Sequence, residues 1–302
     1  YPEMGLAAGA CSGNGILLDI TDPVNPVRVE EVFDPNFAYW HSATFSNDAS
    51  TVLFTDEWGG GSGPRCRGTD PATWGANAIF RRTGNELELA GYYKLPVAQT
   101  ETENCVAHNG SLIPVPGRDI KVQAWYQGGI SILDFTDPEN AYEIAFFDRG
   151  PLSETELYTG GFWSAYWYNG RIYGAEISRG IDVFRLTPSE HLSAAEIAAA
   201  EMVMLDEFNA QMQPHFSWPA AAPVARAYLD QMVRHHRILD ATAQAVDALL
   251  DRAEAGRASA AELTALAARL EADAQAVRDG TLGGDAERLS ELAVVLRGMA
   301  GA

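Results

Sequence analysis

Over residues 6–188 the apolar positions fall in short blocks, alternating or continuous, interrupted by Asn-Asp, Pro-Gly, Asn-Gly and Asp-Pro. This pattern predicts short strands joined by tight turns. The clearest run is "CVAHNGSLIPVPG" (105–117), "RDIKVQAWY" (118–126), "GISILDFTDP" (129–138) and "YEIAFFDRG" (142–150). The same order follows it in "FWSAYWYNG" (162–170), "RIYGAEI" (171–177) and "GIDVFRLTP" (180–188). It also precedes it in "WHSATFSND" (40–48), "STVLFTDEW" (50–58), "NAIFRRTG" (77–84) and "ELELAGYYKLP" (86–96). Beyond residue 188 the apolar spacing changes to three and four, and the chain turns rich in Ala, Leu, Glu and Arg, as helices require.

Three phrases superpose within the strand-rich part: "GACSGNGILLDITDP" (9–23), "QAWYQGGISILDFTDP" (123–138) and "GAEISRGIDVFRLTP" (174–188). Ala10, Ala124 and Ala175 share one place in them, and Gly15, Gly129 and Gly180 another. Strand groups that return after roughly 45–65 residues predict an all-β, propeller-like repeat domain over residues 1–188, since a sandwich does not repeat its phrase in register. "GILLDITDPVNPVRV" and "GISILDFTDPENAYEI" resemble the strand–turn–strand phrase of the LVIVD-repeat proteins. The third copy departs from it, because "FRLTPSEHL" lacks the Asp-Pro turn. The resemblance implies a secreted or surface-anchored bacterial β-propeller and names no reaction. Three strand groups and pieces of a fourth stand at or below the lower limit of a closed ring. With the start at "YPEMG", this predicts an incomplete ring with exposed sheet edges, whose missing N-terminal blades belong to a longer parent chain.

In the second part, "SAAE" at 193–196 and again at 259–262 predicts two capping boxes. Residues 189–222 read as a helix and linker docking on the propeller, and residues 223–302 as an antiparallel helical bundle. Within the bundle, one long helix is expected from about Val224 to Ala255, carrying Leu229, Val233, Leu239, Val246 and Leu250 and stopped by Gly256. A second carries Leu263, Leu266, Leu270 and Val277. A third starts at "GGD" (283–285) and carries Leu289, Leu292, Leu296 and Met299.

Composition changes this picture in one respect. The formal net charge of −20 over 302 residues argues against a nucleic-acid partner, which needs clustered Lys and Arg. No apolar run is long enough for a transmembrane segment. Gly-x-Ser-x-Gly and Cys-x-x-Cys are absent, so the familiar hydrolase and thiol-redox signals are missing. The excursion "GGGSGPRCRGTDPATWGA" (59–76) opens no helix and lacks the Lys-Ser/Thr of a phosphate loop, and it reads as a surface loop at the channel mouth.

Candidate chemistry gathers at one repeat position. His41, His108 and Trp163 coincide when the repeats are superposed, followed by Ser42, Asn109 and Ser164. Innermost strands of a propeller face its channel, so the two imidazoles can converge there. Asp56, Glu57, Glu103 and Glu176 stand near the ends of neighbouring strands. Two readings follow: a divalent transition-metal site of histidines and carboxylates, or histidines that hydrogen-bond strand-end backbone. His235 and His236 are adjacent on the expected helix and diverge by about 100°, and His215 lies in the linker. Trp40, Trp58, Trp125, Tyr126, Trp163, Tyr166 and Trp167 either wedge between blades or form a ligand-stacking face. In the oxidising exterior that the resemblance implies, Cys66 on the excursion can reach Cys105, leaving Cys11 free or paired upstream.

The function expected is therefore binding or scaffolding outside the cytoplasm, with a protein, small-molecule or carbohydrate ligand at the propeller face. The alternative is a metal-dependent enzyme at the channel histidines.

Overall fold

The computed structural model describes residues 1–301, which divide into two compact bodies. The β body comprises residues 1–113, 118–185 and 205–216, and the helical body residues 114–117, 186–204 and 217 onward. The stretch 189–222 is thus shared: its N-terminal helix belongs to the helical body and residues 205–216 to the β body.

The β body contains three sheets. Strands β1 (Leu6–Ala10), β2 (Gly15–Asp19) and β3 (Val27–Val32) form the first, and β4 (Trp40–Phe45), β5 (Thr51–Asp56), β6 (Asn77–Thr83) and β7 (Glu86–Tyr93) the second. The third has seven strands. It joins β8 (Asn109–Ile113), β9 (Ile120–Ala124), β10 (Ile130–Asp134) and β11 (Tyr142–Phe147) to β12 (Phe162–Tyr168), β13 (Arg171–Glu176) and β14 (Gly180–Phe184). All neighbours are antiparallel except β8 and β12, which run parallel and pair only through Asn109↔Ser164 and Gly110↔Ala165. The seven-stranded sheet is therefore two antiparallel groups meeting at their first strands. Four strand groups result, and their first strands β1, β4, β8 and β12 are neighbours in that order. Strands β9 and β10 are buried along their whole length, which explains why "IKVQA" and "ISILD" do not alternate cleanly.

The repeated phrase folds the same way twice. Asp22 accepts from the Val24 N–H and the Asn25 amide, and Asp137 accepts from the Glu139 N–H and the Asn140 amide. One step earlier, Asp19 accepts from the Thr21 N–H and Asp134 from the Thr136 N–H. Asp, Thr and Asn recur because their short side chains close these turns on the backbone.

The helical body has α1 (Ala194–Glu201), α2 (Ala222–Arg234), α3 (Asp240–Glu254), α4 (Ala260–Arg278) and α5 (Ala286–Ala300). Both capping boxes form, Ser193 with Glu196 and Ser259 with Glu262, and Asp285 caps α5. The single helix expected over 224–255 is instead two. At the end of α2 the His236 N–H bonds the Val233 carbonyl and the Arg237 N–H bonds the Met232 carbonyl, with His236 at φ 54°. This is a Schellman motif with histidine at the left-handed position. The apolar spacing runs through the break by coincidence: Leu229, Val246 and Leu250 are buried, whereas Val233 and Leu239, which flank the turn, are exposed. Among the described residues no helix is long and apolar enough to cross a membrane.

Candidate metal centre

The site is assembled from two recurring positions. The first lies at a bulge. Trp40 pairs with Asp56 and Ser42 with Thr55, so His41 is an extra residue in β4. Trp163 is the extra residue in β12, between Phe162↔Glu176 and Ser164↔Ala175. A bulge re-aims the side chain it inserts. His108, at the same repeat position, enters β8, and its N–H bonds the Ala124 carbonyl. The second position lies two residues beyond Thr55 and Ala124, where the chain leaves its second strand; it holds Glu57 in one group and Tyr126 in the next.

These positions converge. The His41 and His108 rings stack with centroids 4.4 Å apart. His41 Nε2 lies 3.3 Å from Glu57 Oε2, and His108 Nε2 lies 3.3 Å from Glu57 Oε1. The Tyr126 hydroxyl donates to Glu57 Oε1. His108 Nδ1 donates to the Trp163 carbonyl, which can only accept. In a neutral ring that bond leaves Nε2 with a lone pair facing a carboxylate. Nε2 is buried and makes no hydrogen bond.

Electrostatics act in the same sense. Burial, reinforced by charge on His108, lowers the His41 pKa against the pull of Glu57. Burial pushes Glu57 upward, but its polar contacts with His108 and Tyr126 and the nearby imidazole charges outweigh that and hold it below its ordinary value. Tyr126 is raised by burial and then by its bond to Glu57, so it stays a donor.

The ligand atoms of His41, Glu57 and His108 all lie within 4.8 Å of one another. Donors about 3.3 Å apart have the spacing of a tetrahedral ion with bonds of roughly 2.0–2.1 Å. His41 also borders a cavity of about 490 Å³ lined by β1, β4, Asn109, Gly110, Tyr166 and the segment bearing Gln211 and Gln213.

The other three carboxylates named from the sequence lie elsewhere and serve backbone. Asp56 accepts from the Ala38, Tyr39 and Gly75 N–H groups. Glu176, its repeat equivalent, accepts from Gly161, Ser178 and Arg179. Glu103 binds the Thr100 N–H and hydroxyl. All three stand outside the His41, Glu57 and His108 cluster, so Asp56, Glu103 and Glu176 are corrected from ligands of this centre to loop anchors, Glu103 through Oε2 alone while its Oε1 is buried without a hydrogen bond. His215 stacks on Tyr1, with centroids 6.4 Å apart. Tyr126 was missed as a site residue. Its signal is repeat equivalence to Glu57, hidden because "WY" and "DE" share no chemistry.

The excursion is less a surface loop than a strap. Cys66 and Cys105 form a disulfide, with Cα atoms 5.6 Å apart, while Cys11 is free and exposed. Gly61 at φ 66° lies against Tyr126, where a Cβ would stand 2.1 Å from the ring. Only glycine fits, and its carbonyl accepts from the Asn104 amide.

No family model matches the chain, and no curated protein matches it. Among solved structures, a luciferin-regenerating enzyme is similar at 12% identity and a TM-score of 0.31, over 54% of this chain and 44% of that one. The chain thus spans less than half the length of that protein.

Proposed function

We propose that the β body is an extracytoplasmic propeller of the LVIVD-repeat kind that binds a divalent transition metal through His41, Glu57 and His108, and whose role is ligand binding at that centre. The four strand groups are its blades, with β1, β4, β8 and β12 innermost. The matching Asp22 and Asp137 turns support the family reading, and the Cys66–Cys105 disulfide supports an oxidising location. The observation that carries the metal reading is the buried, unpartnered His108 Nε2, fixed by the Trp163 carbonyl and facing Glu57. A cation between the two removes the conflict that a lone pair and a carboxylate create. Two imidazoles and one carboxylate suit zinc, iron, manganese or copper rather than calcium, which prefers oxygen alone.

A second reading, metal-dependent catalysis, is favoured by the cavity beside His41, which gives a substrate access to one edge of the centre. There the protein's part is to fix the ligands, with Tyr126 holding Glu57 and the Trp163 carbonyl holding His108.

The test is elemental analysis of protein purified without chelators, beside a His41→Ala/His108→Ala variant. The expected result is about one equivalent of metal in the wild type and a loss of at least tenfold in the variant. Added metal should also raise the melting temperature of the stripped wild type alone. Equal metal content in the two proteins, with no thermal shift, overturns the reading.

A further inference from the structure

Where the second and third strand groups meet there is a crevice of about 130 Å³ that shares no residue with the metal centre. One wall is Leu95, Pro96 and Val97, which follow β7, and the other is Phe146 of β11. Val97 and Phe146 are 66% and 73% exposed. Gly128 also lines the crevice, and a Cβ there would stand 2.6 Å from Cys105 Sγ and 2.8 Å from Leu95 Cδ1. The Gln99 N–H bonds the Cys66 carbonyl. The disulfide thus backs both sides of the crevice and holds its shape before a ligand arrives.

One carboxylate stands in this apolar setting. Ser131 Oγ donates to Glu143 Oε2 at 2.6 Å, and the Tyr93 hydroxyl lies 2.6 Å from Ser131 Oγ. Both hydroxyls belong to buried residues. Glu143 lines the crevice, and its Oε1 takes part in none of these bonds. Burial raises the Glu143 pKa against the pull of the two hydroxyls, and among the described residues no cation pairs with it.

The first strand group fills the same place differently. Arg28 pairs with Leu18 and Glu31 with Ile16, as Glu143 pairs with Leu133 and Phe146 with Ser131. There Arg28 and Glu31 form an ion pair at 2.9 Å. The third group has a carboxylate and a phenyl ring at these two positions, so the chain itself supplies no cation.

We propose that this crevice binds a small organic ammonium ion, its nitrogen at Glu143 Oε1 and its apolar body between Val97 and Phe146. A half-buried carboxylate between apolar walls favours a ligand that neutralises it and brings apolar surface of its own. The Phe146 ring adds attraction for a cation. Asp148 at the rim and the net charge of −20 favour the same sign. A cavity of about 150 Å³ holds benzene, so a single ring or a short alkyl chain fills this one.

Titration of the full chain with 2-phenylethylammonium chloride, followed by ligand-observed NMR, tests the proposal. Saturable binding with a dissociation constant of about 1 mM or tighter is expected. 2-Phenylethanol has the same body without the charge and should bind about tenfold more weakly. Glu143→Gln keeps an acceptor for Ser131 and should lower the affinity for the ammonium ion by about tenfold or more. Phe146→Ala, at an exposed position, should lower it about threefold with the circular dichroism unchanged. No saturation up to about 10 mM overturns the proposal, as does equal binding of the uncharged analogue or an affinity that survives Glu143→Gln. Should Glu143→Gln fail to fold, the comparison of the two ligands on the wild type decides.

Discussion

The two bodies treat buried polar atoms differently. In the β body the side chains of Trp40, His41, Arg65, Glu103, His108, Lys121, Trp125 and Trp167 each bury a nitrogen or oxygen without a hydrogen-bond partner. Among the described residues the helical body has none. There Arg226 binds Asp247, Asp251 and Glu254, buried Glu196 binds Arg234, and helix ends are closed by capping boxes and Schellman turns. Native interiors rarely leave such atoms unpaired, because each costs about 1–3 kcal/mol. A body that only has to fold satisfies its polar groups, as the helical one does. The stacked His41 and His108 are both among these groups, which marks their meeting point as a place that something else completes.

Removing the strap should have the largest effect. The disulfide spans 39 positions, and Cys66→Ser/Cys105→Ser should lower stability by roughly 3–4 kcal/mol in the chain-entropy account. Chemical denaturation of the two proteins checks this. Because the strap carries Gly61 against Tyr126, metal affinity should fall with it. Unchanged metal binding would separate the strap from the centre.

Lys121 sharpens the contrast in the opposite direction. It is fully buried on β9 with Nζ unpartnered, and burial lowers its pKa to about 7. Between about pH 7 and 10.5 the unfolded chain holds a proton that the folded one does not, so stability rises with pH across that window. Lys121→Met should abolish this slope and add on the order of 2–3 kcal/mol at pH 7. Urea titrations at pH 7 and pH 10 read both effects. A wild-type slope of zero would show that Lys121 finds a partner in solution.

Within the centre, Tyr126→Phe should weaken metal binding about tenfold, because it removes only the hydroxyl that orients Glu57. Glu57→Gln should cost more, by removing the charge. Competition with a chelator of known affinity ranks the two, and equal losses would make Tyr126 a ligand rather than a support.

The strand order was legible because turn residues and apolar blocks punctuate it, and the phrase at 9–23 and 123–138 folds with the same Asp and Asn contacts. His41 and His108 were legible for the same reason, since one repeat position sends both to one place. The role of each acid was not. Asp56, Glu57 and Glu176 all stand at strand ends, and only the backbone N–H groups facing them separate loop anchors from a ligand. The break after α2 was hidden because a left-handed turn here uses His236, while the ends of α3 and α4 use Gly256 and Gly280.

That last difference yields the smallest prediction and contrasts two histidine pairs. His41 and His108 come together across 67 positions and are held by polar partners. His235 and His236 are neighbours by sequence, and the second occupies backbone space that costs an L-residue about 1 kcal/mol. His236→Gly keeps the two Schellman bonds, which come from the backbone N–H groups of residues 236 and 237. It relieves the left-handed strain while losing some entropy to the freer unfolded chain. The balance should favour the variant by about 0.5 kcal/mol, a rise of one or two degrees in melting temperature. Metal content should not change. A destabilised His236→Gly would mean that the imidazole contributes more to the turn than its backbone conformation costs, and the helical body would then share the β body's dependence on a particular histidine.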